Sequence, residues 1–223
     1  MQVAENLKKV LDTIPDHVKL VAVSKTKSPE VIMQAYNTGH KIFGENKVQE
    51  LVSKYESMPK DIEWHMIGHL QRNKVKYIVP FVYLIHGVDS FRLLVEINKQ
   101  AKKINRTLNC LLQFHIAEED TKFGFDMMEA KEMLQSEEYK SLDSVEISGV
   151  MGMATFTDDM NQVRKEFRQL KIYFEELKSN FFQNSETFRE ISMGMSSDYK
   201  IAIEEGSTMV RIGSDIFGAR NTD

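Results

Sequence analysis

The sequence is short of the residues that lock small folds together. It holds one cysteine, Cys110, and four prolines in 223 residues. No intrachain disulfide can form, and no Pro-rich segment marks a linker. Cys110 sits in the apolar run Cys110-Leu111-Leu112, where a lone thiol is usually a small buried hydrophobe. Such sparing cysteine use fits a reducing compartment. The opening MQVAENLKKVLDTI carries acidic residues and no long apolar run, so it does not read as a secretion signal. No stretch approaches the roughly 18 to 20 apolar residues that cross a bilayer. An excess of positive charge is missing too: the net charge of −4 gives no reason to expect nucleic acid. A cytoplasmic protein with no membrane partner is therefore expected.

What the chain does have is a core. With 42% hydrophobic and 28% charged residues it has a globular balance, and a barrel of one domain needs about 200 to 250 residues. Val3, Leu7, Val10, Leu11 and Ile14 fall at helical spacing and predict an opening amphipathic helix. The valine-rich run Leu20-Val21-Ala22-Val23 is too short for a helix and predicts a strand. Ser28 as N-cap and Pro29 at the first helical position then predict a helix closed by Gly39.

The alternation repeats along the chain. Further strands are predicted at 42–46, 64–68, 83–88, 109–116, 145–153, 188–193 and 209–212. Helices are predicted over 47–57, 71–79, 126–136, 158–179 and 197–205, and another runs from the Asp89-Ser90 cap through Lys102. Strands alternating with helices imply right-handed βαβ units and a parallel sheet. Eight units in a chain of this size favour a (β/α)8 TIM-type barrel over residues 1–223, with an extra N-terminal helix.

In such barrels functional residues sit at the C-terminal ends of strands, and phosphate is often held after strands 7 and 8. Lys25 ends the first strand on the face of Val21 and Val23. Apolar neighbours favour its free amine, the nucleophile for a Schiff base; a solvated lysine beside Lys27 is the plain alternative. After the seventh strand, Ser192-Met193-Gly194-Met195-Ser196-Ser197-Asp198 offers close backbone approach and hydroxyls, or simply a capped loop. Gly213 and Ser214 follow the eighth strand and can complete an anion cradle. Arg211 lies inside that strand, and a buried guanidinium needs an acceptor, either a structural carboxylate or a ring nitrogen of a ligand.

Other features are weaker. Gly44-Glu45-Asn46 puts polar groups at the end of strand 2, where Glu45 can equally serve as a structural ion-pair partner. His65 and His69 straddle a strand end and form no matched ligand set, so no metal is expected. Methionines at strand ends, Met193 among them, suit core gaps.

Taken together, these segments resemble the pyridoxal-phosphate homeostasis proteins, barrel proteins akin to the N-terminal domain of alanine racemase. The matching segments are Val21-Ala22-Val23-Ser24-Lys25-Thr26-Lys27, Phe43-Gly44-Glu45-Asn46, Trp64-His65-Met66-Ile67-Gly68, Ser192-Met193-Gly194-Met195-Ser196, and Gly206 through Gly213 with Ile216-Phe217-Gly218-Ala219-Arg220. The resemblance implies the fold of type III pyridoxal-phosphate proteins and a pyridoxal 5′-phosphate aldehyde linked to Lys25. It implies phosphate held by Ser196, Ser197, Gly213 and Ser214, Arg211 facing the pyridine nitrogen, and Asn46 and Met193 near the ring. Two departures stand out. His115 replaces a usual asparagine, and the loop from Val150 to Thr155 lacks a frequent proline.

The resemblance also implies a monomeric carrier that serves pyridoxal-phosphate-dependent apo-enzymes without turnover of its own. A racemase-like enzyme is the rival. Alanine racemases carry a second domain that supplies a catalytic tyrosine. With strand 8 so near Asp223, that domain is expected to be absent, leaving Tyr199 or His115 as substitutes. A sugar-phosphate enzyme is a third reading, but it gives Lys25 no specific role.

Overall fold

The computed structural model of the chain describes residues 2–118 and 123–219. Eight strands pair in parallel and in chain order: β1 (Lys19–Val23), β2 (Ile42–Glu45), β3 (Glu63–Met66), β4 (Leu84–Val88), β5 (Leu108–Gln113), β6 (Val145–Met151), β7 (Glu190–Ser192) and β8 (Met209–Ile212). β8 returns to β1 through Lys19↔Met209 and Val21↔Arg211, so the sheet closes into the expected barrel. Helix α1 (Gln2–Leu11) precedes the first strand. Around the barrel run α2 (Pro29–Tyr36), α3 (Val48–Ser57), α4 (Val75–Ile78), α5 (Phe91–Lys103), α6 (Met127–Gln135), α7 (Glu137–Lys140), α8 (Met160–Asn180), α9 (Tyr199–Glu204) and α10 (Ser214–Phe217).

Strand alternation sorts the apolar residues into two bodies. Leu20 and Ala22 of β1 face outward and join the large core between sheet and helices, with Phe43, Trp64, Ile85, Leu112 and Ile212. Val21 and Val23 face the lumen and pack with Ile67, Leu84, Leu111, Met151 and Met209. Each helix turns one stripe to the outer core; α5 buries Leu93, Leu94, Ile97 and Ala101. Burying each leucine or isoleucine contributes about 1.5–3 kcal/mol. α5 starts where expected, with Ser90 Oγ accepting from the Leu93 N–H at 3.3 Å.

Several expectations need correction. Ser28 makes no side-chain cap bond; Pro29 alone marks that helix start. The helix expected over 71–79 is a 3-10 turn, Arg72–Lys74, followed by the single turn of α4. The seventh strand is Glu190–Ser192 rather than 188–193. Phe188 leaves the ladder to stack on Phe182, with ring centroids 4.1 Å apart. β5 and β6 stop at Gln113 and Met151, short of the expected ends. Neither α10 nor the capping box of Asp126 and Glu129 on α6 was foreseen.

The register between β5 and β6 shifts after Cys110, and opposite that shift Gly149 takes φ +152°. A Cβ there would lie 1.9 Å from the Glu190 carbonyl oxygen. Gly149→Ala is therefore expected to lower stability by more than about 1 kcal/mol, read as a lower urea midpoint at unchanged slope. An unchanged midpoint would show that the ladder yields there without cost.

Candidate functional site

Residues at or after the ends of β1, β2, β3, β6, β7 and β8 line a cavity at the C-terminal mouth, about 430 Å³ in volume. Val23 and Lys25 come from the end of β1, Asn46 from β2 and Ile67 from β3. Met153 follows β6; Met195, Ser196 and Ser197 follow β7; Arg211, Gly213 and Ser214 come from the end of β8. Of the residues singled out in the sequence, Lys25, Asn46, Ser196, Ser197, Arg211, Gly213 and Ser214 meet in this one cavity. Met193 does not. Its side chain is fully buried in the outer core, and Met195, two positions on, takes the lumen place instead. Arg220, at the end of the last matching motif, lies outside the described residues.

Two glycines shape the walls. Gly194 adopts φ +99°, and a Cβ there would meet Ala202 Cβ at 2.6 Å; the tight turn lets the loop from Met195 to Ser197 fold over the mouth. Gly68 lies so close to β2 that a Cβ would sit 2.4 Å from the Asn46 carbonyl oxygen, which fixes where Asn46 stands.

Arg211 is 4% exposed. Its Nη1 donates to Ser192 Oγ and its Nη2 to the Gly152 carbonyl at 3.1 Å. The sequence asked for a carboxylate or a ligand; the lumen provides a hydroxyl and a carbonyl. Burial pulls the guanidinium down to about 10, with nearby Asp198 opposing, so it keeps its charge at neutral pH. A guanidinium carries five N–H donors, and side-chain bonds from only Nη1 and Nη2 are made among the described residues. Asp198 is itself buried, which raises its carboxyl; its Oδ1 accepts from the Met195 N–H at 2.6 Å and braces the loop.

The end of the cavity lined by Ser196, Ser197, Gly213 and Ser214 is rich in donors. Ser196 Oγ accepts from the Gly213 N–H at 3.4 Å, joining the loops after β7 and β8. The N–H groups of Ser196, Ser197 and Ser214 have no acceptor among the described residues. Val23, Ile67, Met153 and Met195 supply apolar walls.

A feature that the sequence reading left as an ion-pair alternative fixes the backbone around Lys25. Lys54, 4% exposed on α3, donates to Glu45 Oε1 at 2.7 Å, to Glu50 Oε1 at 2.7 Å and to the Ser24 carbonyl at 2.8 Å. Ser24 Oγ donates to Glu45 Oε1 at 2.6 Å. Thr26 has φ +65°, costly for a β-branched residue, and its N–H donates to Glu50 Oε1 at 2.5 Å. The residues on both sides of Lys25 are thus tied to one buried ion cluster. The i, i+4 spacing of Glu50 and Lys54 was the available signal.

The other candidates scatter. Tyr199 is buried with its hydroxyl 2.9 Å from Thr13 Oγ1, against the opening of the chain rather than the cavity. His115 does not line the cavity. His65 points into the lumen, whereas His69 pairs with Asp89 at 2.9 Å near the surface, so the two do not meet.

Burial raises the Glu45 carboxyl and Lys54 offsets part of that. Removing Lys54 leaves a buried carboxylate unpaired, at a cost of about 3–5 kcal/mol. Lys54→Met is therefore expected to destabilise strongly at neutral pH. Glu45 then binds a proton more tightly folded than unfolded, so stability of the variant falls as pH rises from the unfolded carboxyl's range upward. Chemical denaturation at acidic and neutral pH checks this; an equal loss at both would show that Glu45 is not what Lys54 neutralises.

Comparison with known proteins places this geometry. The family profile described as alanine racemase, N-terminal domain, matches residues 1–221. The pyridoxal phosphate homeostasis protein of Aquifex aeolicus is 40% identical over 232 aligned positions, covering 99% of both chains. PipY of Synechococcus elongatus, solved with PLP bound, superposes with a TM-score of 0.87 at 33% identity, covering 97% of this chain and all of that one. Alanine racemase of Clostridium difficile shares the fold, with a TM-score of 0.81 at 14% identity over 61% of that chain. The chain belongs to the alanine racemase N-terminal domain family, in the branch of the pyridoxal phosphate homeostasis proteins.

Proposed function

We propose that this chain is a pyridoxal 5′-phosphate-binding protein of intracellular vitamin B6 homeostasis, which carries the cofactor as a Schiff base on Lys25 and has no turnover of its own. The observation that carries the reading is the donor set of the C-terminal cavity. Lys25 and Lys27, one buried charged guanidinium and a cluster of N–H groups without acceptors among the described residues converge there between apolar walls. The residues fit the group. Ser196, Ser197, Gly213 and Ser214 suit its phosphate, Arg211 its ring nitrogen, Asn46 the ring edge, and Val23, Ile67 and Met195 its faces. Relatives bearing the homeostasis name and PipY with PLP bound support the same assignment.

Bound pyridoxal phosphate supplies an electrophilic aldehyde and a ring that withdraws electrons when its nitrogen is protonated. Arg211 would keep its proton and donate to that nitrogen instead, which would favour holding over carbanion chemistry. Tyr199 and His115 stand away from the cavity, so neither supplies the second base of a racemase. A cytoplasmic carrier that exchanges cofactor with apo-enzymes as a monomer completes the reading. Among the described residues no helix is long and apolar enough to cross a membrane.

Borohydride reduction of the loaded protein is expected to fix one cofactor per chain, mapped to Lys25 by peptide mass. Label at Lys27, which also lines the cavity, would overturn the assignment. Pyridoxal without phosphate is expected to load far more weakly in the same experiment, since each charge-assisted hydrogen bond lost costs about 1.5–3 kcal/mol.

Chiral analysis after incubation with a panel of L-amino acids is expected to show no racemisation above free cofactor. Placed acid–base groups typically contribute about 10²–10⁴-fold, and of the candidates Lys25, Tyr199 and His115 it is Lys25 that lines the cavity. Turnover that vanishes in Lys25→Ala would make the protein an enzyme.

A further inference from the structure

The lumen holds a second cavity at the opposite, N-terminal mouth of the barrel. It too measures about 430 Å³. Lys19, Glu63, His65, Tyr83, Asn109 and Arg189 are among the residues that line it. Nothing in the cofactor reading uses it.

His65 connects the two mouths. It is 1% exposed, and its Nδ1 lies 2.9 Å from His86 Nε2. His86 is fully buried, with Nδ1 2.8 Å from Ser192 Oγ, and Ser192 Oγ receives Arg211 Nη1. The direction of this chain follows from its fixed end. Arg211 can only donate, so Ser192 accepts from it and has one hydroxyl proton left. That proton goes to His86 Nδ1. His86 Nε2–H then donates to His65 Nδ1, and His65 carries its own proton on Nε2. The reverse orientation leaves the Ser192 hydroxyl without an acceptor. Burial holds His65 at about 3, far below the ordinary imidazole value, and holds His86 low as well, so both rings are neutral, as this single-file pattern requires.

The chain therefore ends in a donor, His65 Nε2–H, which has no partner among the described residues. The two ring nitrogens diverge: Nδ1 is turned to His86, and Nε2, itself buried, lies on the other side of a ring that lines the N-terminal mouth. Leaving a buried donor unmet costs about 1–3 kcal/mol. Around it the cavity offers Arg189, 3.7 Å from Glu190 and largely exposed, and Glu63, which has no partner among the described residues.

We propose that the N-terminal mouth is a second ligand site for a small carboxylate, which accepts from His65 Nε2–H beside Arg189, and that the His65–His86–Ser192–Arg211 chain ties its occupancy to the cofactor mouth. The last clause rests on the cofactor reading above; the site and the coupling to Arg211 do not. A bound anion strengthens the donor that it faces, and each link polarises the next. Glu63 adds a place for an ammonium group if the ligand is an amino acid.

The test uses the full-length protein labelled with 15N at histidine and arginine, with cofactor removed, titrated with acetate and separately with glycine. A saturable shift of the His65 Nε2 resonance, with Arg211 side-chain resonances moving at the same midpoint, is the expected result. Tighter binding of glycine than acetate assigns a zwitterion, and equal binding assigns the carboxylate alone. Arg189→Ala, a change at an exposed position, is expected to weaken binding about tenfold or more. Ser192→Ala is expected to leave the His65 response and abolish that of Arg211. An unresponsive His65, or a response indifferent to Arg189→Ala, overturns the site. A His65 response with Arg211 silent overturns the coupling. In cofactor-loaded protein the visible band is expected to shift at the same midpoint; absence of any band refutes the cofactor reading and leaves the resonance measurements standing.

Discussion

A positive charge stands inside the barrel, and much of the rest is arranged around it. Moving an ion of this size from water into protein costs several kcal/mol even after relaxation. Arg211 offsets that cost with the Ser192 hydroxyl and the Gly152 carbonyl rather than with a carboxylate in contact. A carboxylate bonded to it would have neutralised the charge and satisfied its donors. Instead Asp198 acts from a distance and spends its oxygen on the Met195 N–H. The guanidinium keeps both its charge and spare donors at the base of the C-terminal cavity.

The same cavity has a stiff wall on the side of β1. Lys25 follows Ser24 and precedes Thr26, and both neighbours are held by Glu45, Glu50 and Lys54. A lysine side chain is long and loses much rotamer entropy when fixed. Pinning the backbone on either side limits the search to that side chain alone. The strain of Thr26 at φ +65° is sustained because Glu50 takes its N–H. On the proposed reading, an amine on a pinned backbone, a buried cation and an anion cradle would hold a phosphorylated aldehyde without a moving part; Tyr199 is bound to Thr13 in the outer layer.

Much of the fold was legible because valine-rich strands and capped helices alternate with short connections. β8 begins and ends where the run Met209 to Ile212 suggested. Errors gathered at strand ends. Phe188 and Met193 look like strand residues by type, yet one stacks on Phe182 and the other fills the outer core. Side-chain type does not reveal which parity faces the lumen once a bulge such as that at Gly149 resets the register. For the site, Lys25, Asn46, Ser196 and Arg211, singled out at strand ends, come together in one cavity. The Met193 assignment was misplaced by two residues, because the φ +99° turn at Gly194 hands the lumen position to Met195. The hold of Lys54 on Ser24 was not legible, since it joins positions thirty residues apart through a third element. Nor was the His65–His86 contact, which depends on barrel closure bringing lumen faces together.

That contact bears on what the lumen is for. Barrels of this class commonly fill their interior with branched apolar residues, and here Val21, Val23, Leu84 and Leu111 do so in part. Two buried imidazoles and a serine in the remaining positions forgo apolar burial worth about 1.5–3 kcal/mol each, and one end of their chain is left with a donor unmet among the described residues. Stability alone favours leucine or methionine there. Holding Arg211 requires one hydroxyl acceptor, Ser192; it does not require two histidines behind it. The additional links are explained if the far end meets something, and His65 lines a cavity that also holds Glu63, without a partner among the described residues, and the largely exposed Arg189. The polar thread is thus better understood as a connection between two mouths than as packing for one.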